Sequence, residues 1–151
     1  MGNIMDEKVK LMIRTKQIPH DPNAEGISGE EASVFEAMAS YYQKQNSHYL
    51  IYEEALDGYP TPFQTRLKVK GESLELYRAG AIKQRMLFEE GNAYCTEYVT
   101  PYGTLMLEMR TKQLDVNMLE EKLSIIAEYD IYSNGNKISE NRIEITAGSG
   151  K

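Results

Sequence analysis

Hydrophobic and polar residues alternate one for one over most of this chain, which is the two-residue period of a strand with one buried face. The clearest stretch is 72–113. There Leu74, Leu76 and Arg78 share one phase, and Leu105, Leu107, Met109 and Thr111 share another, each interleaved with polar or charged neighbours. Ala79-Gly80, Glu90-Gly91-Asn92 and Thr100-Pro101-Tyr102-Gly103 supply turn chemistry between these runs at short intervals. The stretch therefore predicts an antiparallel meander with no room for crossover helices.

The rest of the chain extends the pattern. Val9, Leu11, Ile13 and Thr15 alternate with Lys8, Lys10, Met12, Arg14 and Lys16, predicting a first strand that enters near Asp6 and carries a basic outer face. Residues 18–29, with Pro19, Pro22, Gly26 and Gly29, read as a loop. Over 30–43 two signals conflict. Ser28 with Glu31 imitates a helix capping box, and Ala32, Phe35, Ala39 and Tyr42 keep helical spacing. Against that, Tyr41-Tyr42 and Tyr49-Leu50-Ile51-Tyr52 flank a polar turn like the two arms of a hairpin, which favours a strand over 34–43.

Asp57-Gly58, Pro60 and Pro62 then lead into Phe63, Thr65, Leu67 and Val69, a strand that Gly71-Glu72 turns back. Residues 115–122 read as a polar connection with at most one helical turn. Leu123, Ile125, Ala127, Tyr129 and Ile131 resume the alternation, and Asn134-Gly135 is the strongest short hairpin signal in the chain. A last strand spans 137–146. About nine or ten short strands joined by hairpin-length links predict an all-β domain, a single antiparallel closed barrel or a sandwich.

Composition narrows the function classes. The 151 residues fit one domain, and 41% hydrophobic with 26% charged residues is ordinary globular composition. A net charge of -6 with no clustered bases opposes nucleic acid as a partner. Cys95 is the only cysteine, which excludes an internal disulfide and a thiolate metal cage and suits a reducing cytosol. The opening residues carry acids and lysines where a signal peptide needs an apolar run, and no stretch reaches membrane-span length, so a cytoplasmic location without membrane attachment is expected. The 147–151 end reads as a flexible tail.

Chemistry-bearing residues are few. Arg78 sits in the phase of Leu74 and Leu76, on the face that should point inward, and a buried guanidinium needs a paired, hydrogen-bonded partner. Gln84, in phase with Met86 and Phe88, and Asn141, in phase with Ile143 and Ile145, could join it in one polar island. Two readings stand: a ligand-anchoring cluster, or an internal network with Glu53 or Glu54 as counter-ion. Eleven tyrosines against three phenylalanines and no tryptophan suit a pocket that wants apolar area with polar handles, Tyr102 and Tyr129 among them, and they equally suit strand surfaces. His20 and His48 stand alone, so a histidine metal centre is excluded. A Cys95–His48 pair competes with the plainer reading of a buried strand cysteine and a solvated turn histidine.

Taken together, Tyr52-Glu53-Glu54 after the hairpin, Arg78-Ala79-Gly80 closing a strand, Met86 and Phe88 before Gly91, Thr100-Pro101-Tyr102-Gly103 opening a long strand, Tyr129 and Asn141 form an ordered set. In order and spacing this set resembles the YwiB-like proteins of Gram-positive bacteria, a domain of unknown function placed with the calycin, or lipocalin-like, β-barrels. The resemblance implies a barrel of eight to ten strands and a strand over 34–43, and it implies no established activity. The expected function is a barrel holding a small anionic or amphipathic molecule inside, with Arg78, Gln84, Tyr102, Tyr129, Asn141 and Glu53 as its polar contacts. The alternative is a filled barrel acting as a protein-interaction or structural module. Usual nucleophile–base pairs are missing, so catalysis is not expected, nor is a cofactor or metal.

Overall fold

In a computed structural model, residues 7–20, 31–55, 58–81, 83–100, 103–119 and 122–148 are described. Ten strands form a single sheet: β1 (Glu7–Pro19), β2 (Glu31–Lys44), β3 (Ser47–Glu54), β4 (Phe63–Lys70), β5 (Ser73–Ala79), β6 (Lys83–Glu89), β7 (Ala93–Thr100), β8 (Gly103–Leu119), β9 (Lys122–Ser133) and β10 (Asn136–Gly148). Their order is β6-β5-β4-β3-β2-β1-β10-β9-β8-β7, antiparallel throughout. The sheet curls into a nearly closed barrel. β1 lies mid-sheet, with Ile13 opposite both Phe35 of β2 and Ile145 of β10.

The contested 34–43 segment lies within β2. Its helical spacing is overridden because β1 offers a complete antiparallel partner from Glu7↔Tyr41 to Gln17↔Glu31. Asn134 and Gly135 take φ values of 51° and 82°, the left-handed pair a two-residue hairpin needs. Four expectations are corrected. Ile18 and Pro19 remain in β1, paired with Glu140 and Ser139, and the rest of that predicted loop lies outside the described residues apart from His20, which follows β1. Residues 115–119 continue β8 rather than forming a connection. Residues 137–146 are strand as expected, but the expected flexible tail over 147–151 does not begin at 147, because Ala147 and Gly148 pair with Leu123 and Lys122 and continue β10; 149–151 lies outside the described residues.

The fourth correction concerns the meander. β5–β6 and β7–β8 pair as expected, but β6 and β7 share no backbone ladder among the described residues and lie at the two ends of the sheet order. The turn between them is instead fastened to β8: the Gly91 amide donates to the Thr111 carbonyl at 2.9 Å, and the Thr111 amide to the Asn92 carbonyl at 3.1 Å. The Glu90 carboxylate accepts the Leu114 amide at 3.2 Å. A bulge in β8 between Thr111 and Gln113 goes with this attachment. Farther from the turn, a side chain spans the seam, with Thr96 Oγ1 donating to the Arg85 carbonyl at 2.7 Å.

Inward-facing residues change character along the barrel. At the end holding the β6–β7 turn they are apolar: Leu11, Leu50, Val69, Leu74, Phe88, Leu123, Ile125 and Ile145 are all buried in one cluster. At the opposite end the same phases carry Thr15, Glu54, Thr65, Arg78, Gln84 and Asn141. Inward positions there stay open to solvent in part, since Phe35 and Met86 are only half-buried. The barrel has one packed end and one polar end.

Candidate functional site

The polar end is organised by strand parity. In β3, Leu50, Tyr52 and Glu54 share the inward phase, and Leu50 and Tyr52 are buried. β4 contributes Thr65, opposite Tyr52; β5 contributes Arg78, opposite Thr65; and β6 contributes Gln84, opposite Arg78. Four adjacent strands thus set their polar inward residues side by side.

Arg78 is the hub. Its Nη1 donates to Gln84 Oε1 at 3.0 Å and its Nη2 to Glu54 Oε1 at 3.2 Å, and Thr65 Oγ1 donates to the same carboxylate oxygen at 3.2 Å. The Arg78 and Glu54 side chains are 19% and 18% exposed, so this ion pair is largely desolvated while still within reach of solvent. The Arg78 Nε–H is buried and has no acceptor among the described residues. An unmet donor on a charged group costs free energy, and it also leaves a place for an oxygen atom brought by another molecule.

Two phenols flank the hub. Burial pushes the Tyr52 phenol well above its ordinary range, with the Glu54 carboxylate adding to the rise and Arg78 opposing it. Burial likewise pushes Tyr129 up to about 12, again against the pull of Arg78. Both hydroxyls therefore keep their protons at neutral pH. The ring of Tyr129 packs edge-on against Phe88, with centroids 4.9 Å apart, and Tyr52 packs against Phe35 at 5.6 Å.

Of the residues expected at the site, Arg78, Gln84 and Tyr129 come together. Asn141 faces the same end but is occupied within its own hairpin, donating to Ser139 Oγ at 2.9 Å and more loosely to the Tyr129 carbonyl at 3.4 Å. Glu53 is corrected: odd parity in β3 puts it on the outer surface, exposed, and Glu54 is the counter-ion. Tyr102 lies outside the described residues. Thr65 and Tyr52 were not singled out, although their parity with Leu67 and Leu50 carries the signal. The Cys95–His48 pair is not formed. Cys95 is exposed rather than buried. His48 lies in β3, not in a turn, and its Nδ1 is 2.7 Å from the Tyr41 hydroxyl.

Among the described residues no three His, Cys, Asp or Glu side chains converge as metal ligands, and no helix is long and apolar enough to cross a membrane.

A ten-stranded antiparallel barrel with one apolar end and an arginine-centred polar end is a small β-barrel of the kind that can enclose a single ligand. Residues 13–145 match the family described as a domain of unknown function (DUF1934), and the chain belongs to that family. Over 128 residues it is 28% identical to the uncharacterized β-barrel protein YwiB of Bacillus subtilis (strain 168), covering 85% of each chain. The crystal structure of the ywiB protein from Bacillus subtilis matches it with a TM-score of 0.75 at 27% identity, over 95% of this chain and 94% of that one.

Proposed function

We propose that this protein is a cytoplasmic binding barrel that takes one small amphipathic or anionic molecule at its polar end. The observation that carries the proposal is the buried Arg78 Nε–H with no acceptor among the described residues, on a side chain that solvent still reaches. A carboxylate, phosphate or carbonyl oxygen supplied there would complete the guanidinium's hydrogen bonding. Because Glu54 already balances the charge of Arg78, the gain from a full negative charge is smaller than at an unpaired arginine. Half-buried Phe35 and Met86 offer apolar contact beside the cluster.

The competing reading is a filled barrel that acts as an interaction module, and the cluster of buried apolar side chains at the other end favours it. A thermal-shift screen of matched carboxylic acids and alcohols separates the two. A binding barrel is stabilised by mass action, by about 2.7 kcal/mol at a hundredfold excess over Kd. Acids should stabilise more than alcohols in the native protein and equally in Arg78→Gln. No shift with any amphiphile would leave the interaction module standing.

A further inference from the structure

The seam between β6 and β7 lies next to the Arg78 cluster, with Gln84 common to both. An open groove of about 290 Å³ runs along it, lined by Tyr77, Gln84, Arg85, Tyr94 and Thr96 among others. Gln84 is 7% exposed, faces inward and holds Arg78, so one side chain borders both the groove and the polar site. Where a continuous barrel would have a ladder of backbone hydrogen bonds, the described residues of the seam are joined by a side-chain bond, from Thr96 to the Arg85 carbonyl.

The strands beyond the groove point the same way. In β7 and β8 the inward phase runs through Thr96, 7% exposed, and Met109, 1% exposed. Toward the β7–β8 turn the same phase carries Tyr98 and Leu105, paired with each other, at 38% and 52% exposure. These inner-face side chains meet solvent, so β6 does not cover Tyr98 and Leu105. An apolar inner wall is left uncovered beside a polar anchor.

Resting on the ligand-binding reading above, we propose that the β6–β7 seam is the side opening through which the ligand reaches Arg78, and that the ligand is an unbranched amphiphile. Its oxygen head group lies at Arg78 and Gln84, and its apolar chain lies against Tyr98, Leu105 and Leu107. A compact polar metabolite would leave that wall bare, whereas a linear chain covers it.

The test uses dansyl-undecanoate, an unbranched fluorescent carboxylate, and stopped-flow release from the intact protein. Leu87→Cys places a second thiol on β6 across the short turn from Cys95, so that oxidation with diamide stitches the seam; loss of free thiols reports the bridge. Release from the bridged form should slow at least tenfold and recover on reduction. Thr96→Val, which removes the bond spanning the seam, should speed release by about fivefold, the factor that one net hydrogen bond converts to. Should the bridge fail to form, Thr96→Val alone decides. Binding that Arg78→Gln weakens, with release indifferent to both seam variants, overturns the side opening and leaves the binding barrel intact. Absence of probe binding to the native protein overturns both.

Discussion

Replacing Arg78 by leucine removes the hub and leaves Glu54 and Gln84 to face one another without it. Two charge-assisted bonds are lost, at 3.0 and 3.2 Å, and among the described residues Thr65 is left as the donor to the Glu54 carboxylate. Breaking a fully buried pair costs about 3 to 5 kcal/mol. With both side chains nearly one-fifth exposed, water can return to the carboxylate, which puts the cost at the lower end, about 3 kcal/mol. Loss of the unmet Nε–H offsets some of this, so about 2 to 3 kcal/mol remains. For a domain of this size that corresponds to a fall in Tm of roughly 4 to 12 °C. Arg78→Lys should fall in between, because an ammonium keeps the charge but cannot span Gln84 and Glu54 as the guanidinium fork does. A urea-denaturation cycle with Glu54→Gln and the double variant isolates the pair, and the coupling should exceed about 1 kcal/mol. If Arg78→Leu melts within a degree of the native protein and shows no coupling to Glu54, the cluster holds nothing together and the reasoning fails.

Gly80→Ala should cost about 1 to 3 kcal/mol, since its Cβ would sit 2.6 Å from Cδ2 of the fully buried Phe63; the urea midpoint measures this. Gly135→Ala should destabilise by about 1 kcal/mol or more, because alanine must adopt φ of +82° at the β9–β10 turn, and thermal melts will show it. His48 predicts a pH dependence. Burial lowers its pKa below 6.5, so the unfolded chain takes up the proton more readily than the folded one. Its contribution is complete above pH 6.5 and is lost as pH falls through the lowered value. His48→Phe should therefore flatten the decline in unfolding free energy below that pH, and an unchanged slope would remove His48 as its source.

Alternation made most strands legible because one face of each is buried, and parity alone was enough to place Arg78 and Gln84 inside. Where parity fails, so does the reading. The β8 bulge between Thr111 and Gln113 moves the inward set from Met109 and Thr111 to Leu114 and Val116, so a window laid over 115–119 finds no continuing period and takes a strand for a polar link. Glu53 and Glu54 are chemically identical neighbours, and only their relation to Leu50 and Tyr52 tells which faces Arg78. The seam was not legible. The turn residues Glu90-Gly91-Asn92 suit a plain hairpin, and their attachment to Thr111 and Leu114 is a contact between distant parts of the chain that no local pattern encodes.

The pairing of β1 with β10 has a consequence for how the protein comes to be folded. Lys10 lies opposite Gly148, so two strands far apart along the chain are neighbours in the finished sheet. Such non-local pairing makes folding slow and cooperative, because a long loop must close before any of its contacts form. Until β10 emerges from the ribosome, β1 and β2 can pair with one another, but the far edge of β1 stays bare, with Val9, Leu11 and Ile13 uncovered on its inner face. A nascent chain held at that stage presents an unpaired hydrophobic strand, the species most prone to add a second chain instead of its own β10.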